Sequence, residues 1–369
     1  MTNLTIMLVG AVILSAVAVL PNRHSPSAGA APHVRSGGAV ATPPAAPTPG
    51  LPASPTPGLP PAADPATPAK IVTPFWDLPN PFVLVVGGVY YLYSSETANY
   101  SLDFRHPSPE LPLRVSTDLQ HWSAATEALP TLPTWASWGF TWAPDVRLIG
   151  NRYVMYFTAR VKDRTPATQC IGTATAATPA GPFTPSQQML VCQTDHLGSI
   201  DPRSFVDTNG SLWLHWKSDD NADVGGTSHT GLYAQRLSRD GLHLVGNATM
   251  ILAADQPWEG RIVEAPQMVL ANHRYWLFYS GNWFNQPAYA IGVAECAGPA
   301  GPCSKPSPGP FLGSNAQGAG PGESSLFSDA RGLWMVYGPW AVRYRTDTER
   351  PVALVHIAFK PSGPYLAAF

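Results

Sequence analysis

Short aromatic and apolar segments recur along this chain at nearly constant spacing. Each is bounded by turn-forming residues and rich in large apolar side chains, which is typical of a strand buried in a β-sheet. The five segments are residues 90–93, 153–156, 212–215, 275–278 and 333–336. They lie about 60 residues apart, and self-similarity at a long fixed period is the signature of a repeat architecture.

Each repeat contains several short β-type segments separated by Gly, Pro, Asn and Asp, without sustained helical periodicity. This pattern suits a four-stranded blade enlarged by loops. The sequence therefore predicts an all-β fold, a five-bladed β-propeller that forms one domain over residues 71–369. The innermost strand of a propeller blade lines the central channel, so equivalent residues near its start are expected to meet at one mouth.

The first 37 residues contain an apolar run from Leu4 to Leu20. Its length suits either the apolar region of a signal peptide or a short membrane anchor. Ala28-Gly-Ala30 offers a small-residue cleavage site, but no basic residue precedes the run and Arg23 follows it. Both interpretations of residues 1–37 stay open. Either one predicts a secreted or cell-envelope-anchored, extracytoplasmic protein.

Residues 38–70 are rich in Pro, Ala and Thr and repeat one short motif at 47–52 and 55–60. Such a composition cannot bury enough apolar surface to fold. We expect a disordered, semi-rigid linker between the N-terminal segment and the propeller.

Composition narrows the class of function. The chain is 44% hydrophobic, contains 12 Trp, and has a charged fraction of only 12% with a net charge of −2. These values favour an extracytoplasmic β protein and give no basic surface for nucleic acid. Contact with a membrane is expected only through an uncleaved N-terminal segment, and we expect a monomer.

The four cysteines all fall inside the repeat region. Their spacing predicts two short-range disulfides in an exported chain, Cys170 with Cys192 and Cys296 with Cys303. The alternative is four buried free thiols. Neither a Cys-x-x-Cys pair nor histidines at ligand spacing occur, so we expect no metal site.

Acidic residues recur before the aromatic segments. The corresponding positions are Asn80-Pro81, Ala143-Pro144-Asp145, Asp201-Pro202, Glu264-Ala265-Pro266 and Gly322-Glu323. Carboxylates packed together in a partly desolvated funnel have pKa values that are shifted apart, which yields a proton donor and a proton acceptor at neutral pH. The alternative interpretation is that these acids form turns or lie solvated at the rim.

Several stretches together resemble glycoside hydrolase family 43, the five-bladed propeller enzymes that include arabinanases, arabinofuranosidases and xylosidases. The order and blade spacing of the pieces carry the resemblance, which extends from residue 74 to about 345. The pieces are Asp77-Leu-Pro-Asn80-Pro81 with Gly87-Gly88-Val-Tyr90, Ser116-Thr-Asp118, Trp142-Ala-Pro-Asp145, Gly181-Pro-Phe183, Ser199-Ile-Asp201-Pro202, Val263-Glu264-Ala-Pro266 and Gly320-Pro-Gly322.

The resemblance implies an inverting glycosidase with separate roles for its carboxylates. Glu264 matches the general acid, which protonates the leaving glycosidic oxygen, and Asp201 matches the residue that raises the pKa of that acid. The position of the general base is occupied by Asn80. An amide cannot accept a proton from water at neutral pH, and inversion requires a base about 6.5–9.5 Å from the acid.

Three explanations for Asn80 stay open. Asp77, three residues upstream, is a candidate for a displaced base. Asp145 or Glu323, from other blades, could take the role instead. The third explanation is a catalytically impaired propeller that still binds carbohydrate at the cell surface.

The aromatic residues near the acids are candidates for sugar subsites, because aromatic faces stack on sugar rings. They are Trp76, Trp138, Trp142, Trp258 and Trp283. Asn80, Asp145 and Glu323 are further candidates for substrate binding. The expected partner is a polysaccharide or oligosaccharide, arabinan in particular. We expect no cofactor, and Glu323 replaces the histidine that in family members often lies near a central ion.

Overall fold

The computed structural model describes residues 70–71, 77–95, 110–222, 229–341 and 349–367. Over these ranges the chain is built almost entirely of β-strands, with three 3₁₀ turns at Thr194–His196, Asp220–Ala222 and Pro257–Glu259. Residues 1–37, nearly all of the predicted linker, and Trp76 lie outside the described residues. No helix within the described ranges has the length and apolar character needed to cross a membrane.

The strands form five antiparallel sheets, here called blades 1 to 5. In chain order they are β1 (Lys70–Ile71), β2 (Phe82–Val86), β3 (Val89–Tyr93), β4 (Pro112–Ser116), β5 (Thr126–Glu127), β6 (Ala136–Ile149), β7 (Arg152–Val161), β8 (Gln169–Ala176), β9 (Thr184–Val191), β10 (Ser199–Val206), β11 (Leu212–Ser218), β12 (Gly231–Leu237), β13 (Leu244–Ala253), β14 (Val263–Ala271), β15 (Arg274–Gly281), β16 (Ala290–Cys296), β17 (Cys303–Ser304), β18 (Ala319–Asp329), β19 (Gly332–Trp340), β20 (Ala353–Lys360) and β21 (Gly363–Ala367).

Blades 1 to 4 are up-and-down meanders of four strands, and blade 5 adds β1 to such a meander. Blades 1 to 4 contain β2–β5, β6–β9, β10–β13 and β14–β17, and blade 5 contains β18–β21 together with β1. The five aromatic segments of the sequence lie in β3, β7, β11, β15 and β19, the second strand of each blade. The predicted five-bladed β-propeller is therefore confirmed.

The ring of blades is closed by its first strand. Lys70 and Ile71 of β1 pair with Leu354 and Ala353 of β20, so the start of the described chain completes the last blade. Hydrogen bonds between β1 and β20 thus join the two ends of the domain. This pairing also satisfies part of an edge that would otherwise be open.

Hydrophobic packing lies between neighbouring blades, with one cluster at each of the five interfaces. Phe157 of blade 2 packs with Phe82 of blade 1, and Trp216 of blade 3 packs with Tyr156 of blade 2. The remaining clusters join blades 3 and 4, 4 and 5, and 5 and 1. These large apolar side chains explain the aromatic second strands, since each must fill the space between two twisted sheets.

One backbone feature recurs where each blade enters the channel. A residue in the left-handed region lies there in every blade, with φ between 50° and 55°: Asn80, Ala143, Asp201, Ala265 and Glu323. In blades 2 to 5 the pairing between the first two strands also shifts at this point, as in a β-bulge. Bulges re-aim side chains beside active sites. The structure thus assigns Asn80, Asp201 and Glu323 to equivalent positions at the channel.

Both predicted disulfides are present. Cys170 is bonded to Cys192 in blade 2, and Cys296 is bonded to Cys303 in blade 4. The second bridge joins the facing residues of β16 and β17, the outermost strand pair of its blade. The alternative of four free thiols is wrong.

Candidate active site

A cavity of about 370 Å³ opens at the centre of the propeller, where the first strands of the blades meet. All five blades contribute to its wall. The lining residues include Asn80, Phe140, Trp142, Arg160, Gln169, Asp201, Asp219, Glu264, Phe284, Glu323 and Arg350. Five polar residues at the strand starts are expected to converge on one mouth. Four of them line the cavity, and the fifth, Asp145, does not.

Three carboxyl groups form the centre of this cavity. Asp201, Glu264 and Glu323 are each about 95% buried and offer oxygen atoms that all lie within 4.8 Å of one another. Like charges this close cannot all ionise without cost in a site that water barely reaches. Such a cluster favours protonation of at least one of its carboxyl groups near neutral pH, as expected of a site that performs acid–base chemistry.

Glu264 is held at both of its carboxyl oxygens. Lys217 Nζ donates to Oε2 at 2.7 Å, and the Tyr289 hydroxyl is 2.6 Å from Oε1. Lys217 is completely buried. Burial by itself lowers the pKa of Lys217, but the neighbouring carboxylates, Glu264 above all, raise it on balance, so the ammonium stays charged. These two contacts fix the direction in which Glu264 faces the cavity.

Glu323 is also contacted at both of its carboxyl oxygens, by residues from two other blades. Asn80 Nδ2 donates to Oε2, and the Tyr289 hydroxyl lies 2.9 Å from Oε1. Tyr289 therefore stands between Glu264 and Glu323. A side chain on Gly322 would strike the Tyr289 ring, since a Cβ there would lie 1.9 Å from Cε1. Glycine beside Glu323 is what admits the bridging tyrosine.

The orientation of the Asn80 amide follows from its neighbours. Ser95 Oγ accepts a hydrogen bond from the Ala143 N–H at 3.0 Å and donates its own proton to Asn80 Oδ1 at 2.6 Å. The amide oxygen thus faces Ser95, and the NH₂ group faces Glu323. Asn80 acts only as a donor toward the carboxyl cluster.

Asp201 connects the cluster to the strand that carries Glu264. Its Oδ2 accepts the backbone N–H of Ala265 at 3.0 Å, and its own N–H donates to Thr158 Oγ1 at 3.1 Å. Burial, followed by the charge of Glu264, raises the pKa of Asp201 to about 6. Burial and the charges of Asp201 and Glu264 raise the pKa of Glu323 well above its ordinary value.

The structure does not bring every predicted residue into the cavity. Asp145 lies two residues beyond the left-handed residue of its blade, and its Oδ2 accepts hydrogen bonds from the N–H and Oγ of Ser204. Asp77 is half-buried, and its Oδ1 accepts the backbone N–H of Arg350 at 3.1 Å. Neither carboxylate lines the cavity. Both instead stabilise contacts between blades.

Of the four predicted aromatic subsites within the described residues, Trp142 alone lines the cavity. Trp258 packs against Tyr279, with ring centroids 6.0 Å apart, and its indole N–H donates to Gln256. Neither Trp283 nor Trp138 lines the cavity. Trp283 is 39% exposed and Trp138 is 55% exposed. Phe140 and Phe284 provide the other aromatic walls.

Several functional residues escaped the sequence interpretation. Lys217 carried a usable signal, because a lysine inside an aromatic strand requires a buried partner. Asp219 follows the end of the same strand, lines the cavity, and has its pKa raised to about 6 by burial. Tyr289 and Arg350 gave no local signal, since each reaches the site from a loop that only the tertiary structure places.

The carboxyl cluster is also the group of described residues that could hold a metal ion. Asp201, Glu264 and Glu323 supply oxygen ligands of the kind that Ca²⁺ accepts. Most of these oxygens already accept hydrogen bonds, however, from Lys217 and from protein N–H and O–H groups.

Comparison with known proteins agrees with this geometry. The chain is 28% identical over 294 residues to the beta-D-galactofuranosidase xynD of Aspergillus niger, covering 76% of this chain and 77% of the relative. It is 26% identical over 153 residues to the extracellular endo-alpha-(1->5)-L-arabinanase 2 of Bacillus subtilis, covering 38% and 32% of the two chains.

Solved structures show the same architecture. The crystal structure of a thermostable family-43 glycoside hydrolase superposes with a TM-score of 0.71 at 25% identity, covering 82% of this chain and 96% of that one. An endo-1,4-beta-xylanase of Bacteroides thetaiotaomicron gives a TM-score of 0.67 at 21% identity, covering 81% and 97%, and supports the fold alone. The family model for glycosyl hydrolases family 43 matches residues 72–365. The chain belongs to glycosyl hydrolases family 43 and is a glycoside hydrolase.

Proposed function

We propose that this glycoside hydrolase is an exported enzyme that cleaves arabinofuranosyl or other pentose-containing polysaccharides with inversion at the anomeric carbon. The observation that carries the proposal is the cluster of Asp201, Glu264 and Glu323 inside an aromatic-walled cavity. The names of the relatives, a galactofuranosidase, endo-arabinanases and a xylosidase/arabinosidase, favour a furanose or pentose substrate.

Glu264 is the general acid in this mechanism. It protonates the leaving glycosidic oxygen and becomes a carboxylate, which Lys217 and Tyr289 are positioned to stabilise at 2.7 and 2.6 Å. Asp201 lies beside the acid, with a carboxyl oxygen within 4.8 Å of a Glu264 oxygen. Its hydrogen bond to the Ala265 N–H also orients the backbone beside Glu264.

Glu323 is the best-placed replacement for a base at Asn80. Of the three acids that the sequence left open, it alone lines the cavity. Its Oε2 accepts a hydrogen bond from Asn80 of blade 1, while Oε1 faces Tyr289 of blade 4. The raised pKa of Glu323 means that it carries the proton at rest, so this proton must first pass through Tyr289 to Glu264. Glu323 then accepts a proton from the attacking water while Glu264 gives one to the leaving group. Asn80 then acts as a positioning residue.

Tyr289 allows the proton to return. Its single O–H can donate to only one of the two glutamates, so the other must be protonated for both contacts to be hydrogen bonds. After turnover the proton is on Glu323. Transfer from Glu323 to the Tyr289 oxygen, and of the tyrosine proton to Glu264, restores the reactive form without net uptake or loss of protons.

The stereochemical outcome tests this mechanism directly. Inverting pairs are typically about 6.5–9.5 Å apart and retaining pairs about 5–5.5 Å. Glu264 and Glu323 offer oxygens within 4.8 Å of each other, closer than either range, so the outcome has to be measured. Proton NMR of the first product formed should show the anomer opposite to that of the substrate. Retained configuration would overturn inversion.

Hydrolysis itself is tested by reducing-sugar release from arabinans, xylans and fructans. Turnover of an arabinan is the expected result. If no polymer is hydrolysed but calorimetry detects binding, the protein with Asn80 at the base position binds carbohydrate without cleaving it. Export, a monomeric state and the absence of a cofactor are proposed on the sequence alone, and cell fractionation and sedimentation would test the first two.

A further inference from the structure

The disulfide between Cys170 and Cys192 lies next to a residue of the cavity wall. Cys170 is completely buried and follows Gln169, whose side chain lines the central cavity. Cys192 follows β9 and begins the connection that leads from blade 2 to β10, the first strand of blade 3. The disulfide therefore ties a strand beside the cavity to the connection between two blades.

This connection is packed tightly against the start of β8. Gly198, at its end, pairs in parallel with Gln169, and the Gly198 N–H donates to Gln193 O at 2.9 Å. Only glycine fits here, because a Cβ at Gly198 would lie 2.1 Å from the Gln169 carbonyl oxygen and the φ angle is 133°. The two cysteines thus belong to two backbone segments that contact each other.

Both segments hold Asp219 in place. Gln169 Nε2 donates to Asp219 Oδ2 at 2.8 Å, and the Asp219 N–H donates to Gly198 O at 3.1 Å. Gln193 Oε1 accepts the indole N–H of Trp216, in the strand that leads to Asp219, at 2.6 Å. These contacts fix the chain at the end of β11, where the Asp219 carboxyl group lines the cavity.

The position of Asp219 affects the charges of the site. Burial above all raises the pKa of Asp219 to about 6, the charge of Lys217 acts against this shift, and the charges of Asp201 and Glu264 add to it. A charge acts on its neighbours as they act on it, and the interaction falls with distance. Displacement of Asp219 would therefore change the electric field at the carboxyl cluster.

We infer that the Cys170–Cys192 disulfide positions Asp219 in the cavity and thereby contributes to catalysis, in addition to stabilising the fold. It acts through Gln169 on one side and through the connection that ends at Gly198 on the other. The kinetic part of this inference rests on the proposed function. The position of Asp219 can be measured without a substrate.

The second disulfide provides a matched control in the same chain. Cys296 and Cys303 join the outermost strand pair of blade 4, and neither residue belongs to the wall of the central cavity. Removal of either disulfide should lower the free energy of unfolding, because both constrain the unfolded chain. Only removal of the Cys170–Cys192 disulfide should also displace a group of the active site.

The kinetic test compares the two disulfides in the full-length protein, well below the thermal midpoint of each variant. Cys170→Ala/Cys192→Ala should lower kcat/KM on arabinan by about tenfold, because small displacements of groups in an active site reduce rates strongly. Cys296→Ala/Cys303→Ala should stay within about twofold of the wild type. No loss in the first variant, or an equal loss in both, would overturn the inference.

A double-mutant cycle tests whether the disulfide acts through Asp219. In an Asp219→Ala protein, removal of Cys170 and Cys192 should lower kcat/KM further by less than about twofold, since the group that the disulfide positions is already absent. A further loss of about tenfold would mean that the two effects are independent and would overturn the inference.

Carboxyl ¹³C NMR of Asp219 tests its position without a substrate. In the wild type and in Cys296→Ala/Cys303→Ala, the pKa of Asp219 should be about 6. In Cys170→Ala/Cys192→Ala it should fall toward 3.8, because the carboxyl group leaves its buried position. An unchanged pKa in this variant would overturn the inference. A lowered pKa in a protein that hydrolyses no polymer would support the positioning of Asp219 and count against the proposed function alone.

Discussion

Asn80 in blade 1 donates a hydrogen bond to Glu323 in blade 5, at equivalent left-handed positions of the two blades. The first and last blades thus supply an amide and a carboxylate where two carboxylates would repel each other. The family resemblance places an acidic group on blade 1, at the position of Asn80. Here the acidic group of the pair lies on blade 5 instead, at Glu323. Asn80 and Glu323 are best understood as one functional unit.

The pair predicts a rescue experiment. Glu323→Gln should lower kcat by about 10²–10⁴-fold, the usual loss when a general base is removed. Adding Asn80→Asp to this variant places the carboxylate on blade 1 and the amide on blade 5, preserving the charge and the hydrogen bond. The double variant should regain at least about tenfold of the lost kcat. Initial rates on arabinan measure both effects.

A purely structural role for Glu323 would not yield this rescue. Asp77→Ala serves as the comparison, because it removes another of the candidate bases, one that lies outside the cavity. Hydrolysis should persist in Asp77→Ala, although the lost contact with the Arg350 N–H should lower the thermal midpoint. Abolished activity in a folded Asp77→Ala protein, with Glu323→Gln still active, would reverse the assignment.

The activity lost when Glu264 is replaced should depend on the leaving group, whereas the activity lost when Glu323 is replaced should not. Glu264→Gln should lower kcat on arabinan by about 10²–10⁴-fold. On a p-nitrophenyl glycoside the loss should be much smaller, because nitrophenolate leaves without being protonated. Glu323→Gln should impair both substrates, since water must be activated in either case. Steady-state kinetics of the two variants on the two substrates provide the measurement.

The control for Glu264→Gln is Glu295→Gln, the same change on the outer part of blade 4, where Glu295 pairs with Arg274 at the surface. It should leave both rates unaltered. Calorimetry should show that Glu264→Gln still binds oligosaccharide. Equal losses on polymer and aryl glycoside would argue against Glu264 as the acid.

The sequence revealed the blades because packing between twisted sheets imposes large apolar residues at a fixed period, as at Tyr153 and Tyr275. It located the acids less well. Asp145 appeared equivalent to Asp201, but it lies two residues past its bulge, and its side chain turns to Ser204. A spacing read from sequence cannot resolve one or two residues, which suffices to change the direction of a side chain.

The partners of the acids were harder still to foresee. Tyr289 reaches Glu264 and Glu323 from the segment between β15 and β16, and only the absence of a side chain at Gly322 leaves room for its ring. Contacts of this kind depend on how blades 4 and 5 pack together. No local pattern encodes them.

Removal of metal ions should not affect catalysis. The oxygens of Asp201, Glu264 and Glu323 that could bind a cation already accept hydrogen bonds, and Lys217 supplies positive charge beside them. After dialysis against EDTA, kcat/KM on arabinan should stay within about twofold of the untreated value, in contrast to enzymes whose site is built around a metal. A larger loss that added Ca²⁺ restores would identify the carboxyl cluster as a cation site.

The buried Asp219 should make stability depend on pH in a predictable direction. Burial raises its pKa from 3.8 to about 6 in the folded state. Below pH 4 the carboxyl is protonated in both states, and its contribution to stability is fully present. As the pH rises through 6 that contribution is lost, because the folded protein must then carry a buried charge. The difference corresponds to about 3 kcal/mol.

Asp219→Asn removes this titration, so its thermal midpoint relative to the wild type should rise between pH 4 and pH 7. Asp118→Asn should behave in the opposite way. A hydrogen bond from His121, together with backbone N–H donors, lowers the pKa of the exposed Asp118, so its contribution is present above pH 4 and is lost in acid. Its variant should therefore be less stable than the wild type at pH 7 and approach it at low pH. Parallel pH profiles for the two variants would show that burial does not govern Asp219.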